Sequence, residues 1–139
     1  MTRIKDLILG GKNKMAEFKD LEGKTIVEIF GAFKNSEEIK IKCECGTEYI
    51  MYHSQDCCEC VIVEDICGDI EDLLNTPILK ADEIIHKNEN PEEVKTPEWE
   101  RSFTWTFYNI STIKGSVSIR WHGNSNGYYS ESVDFKKIK

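Results

Sequence analysis

All six cysteines of this 139-residue chain fall between Cys43 and Cys67, gathered around one of its three histidines, His53. Cys43-Glu-Cys45 comes first, then His53-Ser-Gln-Asp-Cys57-Cys58-Glu-Cys60, then Cys67. Thiols and an imidazole in this density suit a metal site, a redox pair or a nucleophile. The metal candidates are Cys43, Cys45, His53, Cys57 and Cys58. Zinc asks for four tetrahedral N or S donors, usually supplied as two knuckles. Cys43 and Cys45 could converge with His53 and one of Cys57 or Cys58 across two hairpins, making a zinc-stapled module. The spacing is irregular for a knuckle, because neighbours on a strand point to opposite faces. The simpler expectation is that no cofactor is bound and that the cysteines are small apolar fillers on inward strand faces. A Cys57–Cys58 disulfide would be strained. For a Cys–His nucleophile the acidic surroundings are wrong, since they disfavour a thiolate. No nucleophile elbow, phosphate-cradling glycine loop or HExxH motif occurs, so the chain is expected to be non-enzymatic.

Two further constellations could bind rather than react. Arg120, His122, Asn124, Asn126, Tyr128 and Ser130 alternate through the C-terminal third, beside Trp121 and Tyr129. Guanidinium, amide and phenol groups arrayed in this way can hold a phosphate and stack a base. The bland counterpart is that the aromatic residues Trp105, Phe107 and Trp121 fill a sheet core. The second constellation is acidic: Asp65, Asp69, Glu71 and Asp72 could meet a basic partner protein, or simply form a solvated turn.

Charge separates the two. Residues 1–52 are balanced, 53–100 carry a net −11, and 101–139 a net +4, for −7 overall. The acidic middle repels nucleic-acid phosphates, so duplex binding is not expected. An anionic ligand would be tolerated near Arg120.

The elements that must position these groups are mostly strands. Ile39, Ile41, Cys43 and Cys45 alternate with Lys40, Lys42 and Glu44, and Cys58, Cys60, Ile62 and Ile66 alternate with Glu59, Val61, Val63 and Asp65. Phe103, Trp105 and Phe107 alternate with Thr104, Thr106 and Tyr108, as do Val117, Ile119 and Trp121 with Ser118, Arg120 and His122. Gly123-Asn-Ser-Asn-Gly127 is expected to be a hairpin loop leading to a last strand through Tyr129, Glu131, Val133 and Phe135. Met15, Phe18 and Leu21 suggest a short N-terminal helix within an arm over residues 1–22, and residues 68–77 at most a helical turn. Residues 87–98, with Pro91 and Pro97 among charges, read as an exposed loop. The result is one mainly β domain, an antiparallel sheet over 23–135 curled into a barrel or sandwich.

With 40% hydrophobic and 31% charged residues, the composition is that of a globular chain with a sizeable core. No apolar run is long enough for a membrane span, and the N-terminal stretch does not read as a signal peptide. A reducing cytoplasm is therefore the expected setting, with the thiols free or metal-bound.

Tyr52-His-Ser-Gln-Asp-Cys-Cys-Glu59, Thr104-Trp-Thr-Phe-Tyr108, Ile119-Arg-Trp121 and Ser125-Asn-Gly-Tyr-Tyr-Ser-Glu-Ser-Val133 carry a resemblance. The chain resembles a small uncharacterised family of phages, prophages and their Gram-positive hosts, from about Gly23 to Phe135. The resemblance centres on His53, Cys57 and Cys58, whereas Cys43, Cys45 and Cys60 look like local additions. It implies a phage-type accessory protein acting against host defence by binding. Two modes stay open: sequestering a nucleotide-type signal near Arg120 at a homo-oligomer interface, or blocking a CRISPR-type nuclease or other nucleic-acid-binding host protein through the acidic third.

Overall fold

A hydrophobic alternation of period two leaves each strand one apolar face, and two such sheets can bury those faces only against each other. The computed structural model of the protein describes residues 14–87, 102–127 and 129–139. Its strands are β1 (Lys14–Met15), β2 (Ile26–Phe30), β3 (Glu38–Cys43), β4 (Glu48–Tyr52), β5 (Cys60–Cys67), β6 (Lys80–Lys87), β7 (Ser102–Thr112), β8 (Gly115–Ser125) and β9 (Asp134–Lys137). They form two antiparallel sheets, in the orders β1-β9-β4-β3-β2 and β5-β8-β7-β6. The fold is thus mainly β and sandwich-like.

The core lies between the sheets. Ile39, Ile41, Tyr49, Met51 and Phe135 face Val61, Val63, Tyr108, Ile110, Ile119 and Trp121 across it. Each fully buried aliphatic side chain contributes roughly 2 kcal/mol. Phe18 plugs one side, its ring 4.5 Å from Tyr108 of one sheet and 5.4 Å from Phe135 of the other.

Several local expectations are corrected. Phe18–Leu21 is a four-residue 3₁₀ turn preceded by the short strand β1, not a regular helix. A segment this short holds its shape through Phe18 and Leu21 burying into the sandwich. On β5 the core face is Val61 and Val63, and a bulge before Asp65 then turns Ile66 towards the core. Cys60 is therefore on the exposed side. Of the six thiols only Cys43 is buried, so the filler reading fails for the other five. The last two strands do not form a hairpin. Strand β8 continues through Gly123 to Ser125, and β9 belongs to the other sheet, paired with β4. The reason is sheet crossing: residues 126–133 carry the chain from one sheet to the other. The 3₁₀ turn at Ile70–Leu73 is as expected. Of the expected loop at 87–98, residues 88–98 lie outside the described residues, as does Tyr128.

Among the described residues, no helix is long and apolar enough to cross a membrane.

Candidate functional site

Two segments cross between the sheets at the same end of the sandwich. Residues 53–59 run from β4 to β5, and residues 126–133 run from β8 to β9. They are neighbours because Tyr52 pairs with Asp134 while Cys60 pairs with Asn124. His53 ties one to the other. Its Nδ1 lies 2.7 Å from the Ser132 carbonyl oxygen and its Nε2 2.7 Å from Glu59 Oε2. The His53 and Glu59 side chains are 4% and 0% exposed.

Glu59 is the hub of the first crossing. Its Oε2 also accepts from the Asp56 backbone N–H and its Oε1 from that of Cys57, both at 2.9 Å. Gln55 Nε2 donates to the Glu59 carbonyl at 2.6 Å. Burial alone would raise this carboxyl, but His53 and the two amides outweigh burial and hold it at about 2. The carboxylate is therefore ionised. Both His53 ring nitrogens face oxygens, the Ser132 carbonyl on one side and the Glu59 carboxylate on the other. The centre is a buried carboxylate held by an imidazole and cradled by amides. This is a latch between two crossings, with no nucleophile in it.

The latch presents a thiol pair to solvent. Cys57 and Cys58 are exposed, their sulfurs 3.0 Å apart. The Tyr129 hydroxyl, from the second crossing, hydrogen-bonds Cys57 and is raised from its ordinary value chiefly by that contact. The Cys58 thiol is raised chiefly by its hydrogen bond to Cys57.

The five metal candidates do not converge. Cys43 ends β3 at the opposite end from Glu38, which pairs with Tyr52 beside His53. Five strand steps separate them, roughly 16 Å at about 3.3 Å each. Cys43 is in the core, its thiol pushed up to about 11 by burial. Cys45 donates to Thr47 Oγ1 at 3.3 Å. Among the described residues no group of three or more His, Cys, Asp or Glu is placed to hold a metal ion.

Arg120, His122 and Asn124 alternate along β8, opposite the core residues Ile119 and Trp121, and so share the outer face of the four-stranded sheet. Their cross-strand partners on β7 are Phe107, Trp105 and Phe103. The His122 ring is 4.5 Å from that of Trp105 and stacks at 6.4 Å on Phe103. Arg120 lies 5.1 Å over Trp105 and donates its Nε–H to Glu64 Oε2 at 2.5 Å. Trp105, expected in the core, is 4% exposed but outside the inter-sheet cluster. It is buried instead beneath outer-face neighbours. Asn126 and Ser130 sit on the second crossing, and Ser130 lines a cavity of about 200 Å³ with Ser102, Thr104, Tyr129 and Glu131. Glu131 is buried there, accepting from Thr104 Oγ1 at 2.8 Å and Ser125 Oγ at 2.5 Å.

The acidic constellation is largely occupied in building its own turn. Asp69 caps the 3₁₀ turn through the Glu71 N–H at 3.0 Å, and Asp65 accepts from the Ile66 N–H at 2.9 Å. The Asp72 carboxylate lies against Gly115. Glu71 is exposed. A wider groove of about 730 Å³ opens beside Phe30 and Phe33 and is lined also by Glu37, Glu38, Lys40 and Lys42.

Residues 19–135 match the model of the family described as Domain of unknown function (DUF7448). The chain belongs to that family. The DUF7448 match takes in the latch, the thiol pair and the outer face together. No curated protein and no solved structure matches the chain.

Glu59, Gln55, Tyr129 and Glu131 did not stand out among the candidate residues. Strand alternation sets Glu59 opposite Cys58 and Cys60, on what reads as the outward face, so its burial had no signature in the local pattern.

Proposed function

We propose that this DUF7448 chain is a non-enzymatic binding protein that holds a nucleotide-type ligand on the outer face of the β5-β8-β7-β6 sheet. In the phage-type setting implied by its sequence, it would act in the cytoplasm and sequester such a signal from host defence. The observation that carries this reading is the Arg120–Trp105–His122 arrangement. Glu64 takes the Nε–H of Arg120 and fixes the guanidinium over the indole, and the two terminal amino groups bring four further N–H donors. A fixed guanidinium suits a phosphate, since less side-chain freedom is lost on binding. His122, Asn124 and the half-exposed Phe107 offer hydrogen bonds and ring contact beside it. The surrounding third of the chain carries the net positive charge.

The test is a panel of cyclic mononucleotides, cyclic dinucleotides and ADP-ribose-type nucleotides, read by thermal shift and calorimetry on the full chain. A ligand at about 100 times its dissociation constant stabilises by about 2.7 kcal/mol, which raises the melting temperature by roughly 5–10 °C for a domain of this size. Arg120→Ala is expected to weaken binding about 10–100-fold, the loss of a charged hydrogen bond. A panel without a shift, or unchanged affinity in Arg120→Ala, overturns the proposal.

A further inference from the structure

Cys57 and Cys58 differ from the other thiols in having each other. Cys43 is buried. Cys45 is engaged by Thr47, and Cys60 and Cys67 stand at opposite ends of β5. Cys57 and Cys58 are adjacent, exposed and 3.0 Å apart, on a loop pinned by the Glu59 latch. Free adjacent cysteines on a loose loop would spend most of their time apart, whereas here the Cys57 N–H is held at 2.9 Å by Glu59 and the Cys57 sulfur by Tyr129. Preorganised contact is what an intrachain thiol reaction requires.

We propose that Cys57 and Cys58 are a modification site, a thiol pair that a hydroperoxide converts reversibly to an intrachain disulfide. The Cys57 sulfur, as thiolate, attacks the terminal peroxide oxygen. The O–O bond breaks, and an alcohol, or water from hydrogen peroxide, leaves with a proton. Cys57 is then a sulfenic acid. The Cys58 sulfur attacks it, the S–O bond breaks, the S–S bond forms, and a molecule of water leaves. Two thiols are oxidised and one peroxide is reduced. Cys57 is assigned the first step because it is the sulfur that the Tyr129 hydroxyl holds in place, with the Cys58 sulfur 3.0 Å away to resolve the product. The ring closes across a single peptide bond, with a Cα–Cα distance of about 3.8 Å, below the usual disulfide range. Such a bond is readily reduced, so the modification reverses with a small thiol.

Cys45 supplies an internal comparison. Its thiol is lowered from the ordinary value, chiefly by its Thr47 hydrogen bond, so it too should react with peroxide. Its nearest thiol in sequence, Cys43, is buried in the core, so Cys45 should stop at the sulfenic acid.

The experiment treats the reduced full chain with hydrogen peroxide, blocks remaining thiols with iodoacetamide and maps peptides by mass spectrometry. The peptide holding Cys57 and Cys58 is expected to lose both alkylation sites, weigh two hydrogens less than its reduced form, and regain both sites after dithiothreitol. In the presence of dimedone, Cys58→Ser should accumulate label on Cys57, while Cys57→Ser should leave Cys58 unlabelled. Two blocked thiols on that peptide under conditions that oxidise Cys45 overturn the proposal. So does a disulfide found only between chains. The wild-type mapping decides the matter even if a variant fails to fold.

Discussion

Glu59→Ala is expected to lower the folding free energy by about 3–5 kcal/mol, the cost of removing the shared acceptor of a buried hydrogen-bond network. For a domain of this size that is a fall in melting temperature of roughly 10–15 °C. The loss is large because the carboxylate serves three kinds of donor together: the His53 ring at 2.7 Å, the Asp56 and Cys57 amides at 2.9 Å, and the Gln55 side-chain amide. Alanine strands a buried imidazole, which then carries its desolvation cost, and removes the acceptor of two part-buried N–H groups. Glu59→Gln keeps the volume but turns N–H donors towards at least one amide, so it should recover only part of the loss. The pH dependence has a definite sign. The Glu59 carboxyl is depressed from 4.5 to about 2 on folding. Its contribution is therefore complete above the ordinary carboxylate range and is lost as the pH falls from about 5 to about 2. Urea unfolding of wild type and Glu59→Ala should show a gap at neutral pH that narrows over that interval. A gap independent of pH would mean that the ionised carboxylate is not what holds the crossing.

The same latch shows where sequence reading stops. Strand alternation disclosed Ile39 and Ile41 in β3, Val117, Ile119 and Trp121 in β8, and the shared outer side of Arg120, His122 and Asn124, because each of these follows from a period of two with no interruption. It gave the wrong inward face for β5, where Val61 and Val63 rather than Cys60 and Ile62 pack inward. Cysteine is apolar enough to pass for a core residue, and the bulge before Asp65 that restores Ile66 has no signature in composition. The expected hairpin at Gly123–Gly127 failed for a related reason. Glycine and asparagine signal positive φ and tight turns, yet Gly123 sits within β8 because another backbone approaches it. The site suffered most, since the His53–Ser132 contact spans 79 positions and depends on two crossings lying at one end of the sandwich. Local pattern carries no information about that pairing. What it did carry was the clustering of His53, Cys57 and Cys58, which the fold keeps together, apart from Cys43 and Cys45, which it does not.

Gly123→Ala is expected to cost about 2–4 kcal/mol, although the substitution adds a single methyl group to a residue in extended conformation. A Cβ at that position would lie 2.6 Å from the Glu131 carbonyl oxygen, 3.0 Å from Glu131 Cβ and 3.1 Å from Val61 Cγ2. None of these is the far end of a flexible side chain, so relief requires the second crossing to move away from β8. Overpacking of this kind costs about 1–3 kcal/mol on its own. The movement also draws the buried Glu131 carboxylate from the Thr104 and Ser125 hydroxyls at 2.8 and 2.5 Å, which adds the cost of a poorly satisfied buried acid. Gly46→Ala is the matching control. Gly46 has φ +90° with nothing within 4 Å of its added Cβ, so only the left-handed backbone is penalised, by about 1–2 kcal/mol. Thermal unfolding of the two variants therefore separates close approach from conformational strain. Since β8 also carries Arg120 and His122, Gly123→Ala should weaken any outer-face ligand as well, while Gly46→Ala, at the β3–β4 turn in the other sheet, should leave its affinity unchanged. Equal melting temperatures for the two variants would mean that the crossing is not packed onto β8, and the coupling between latch and outer face would go with it.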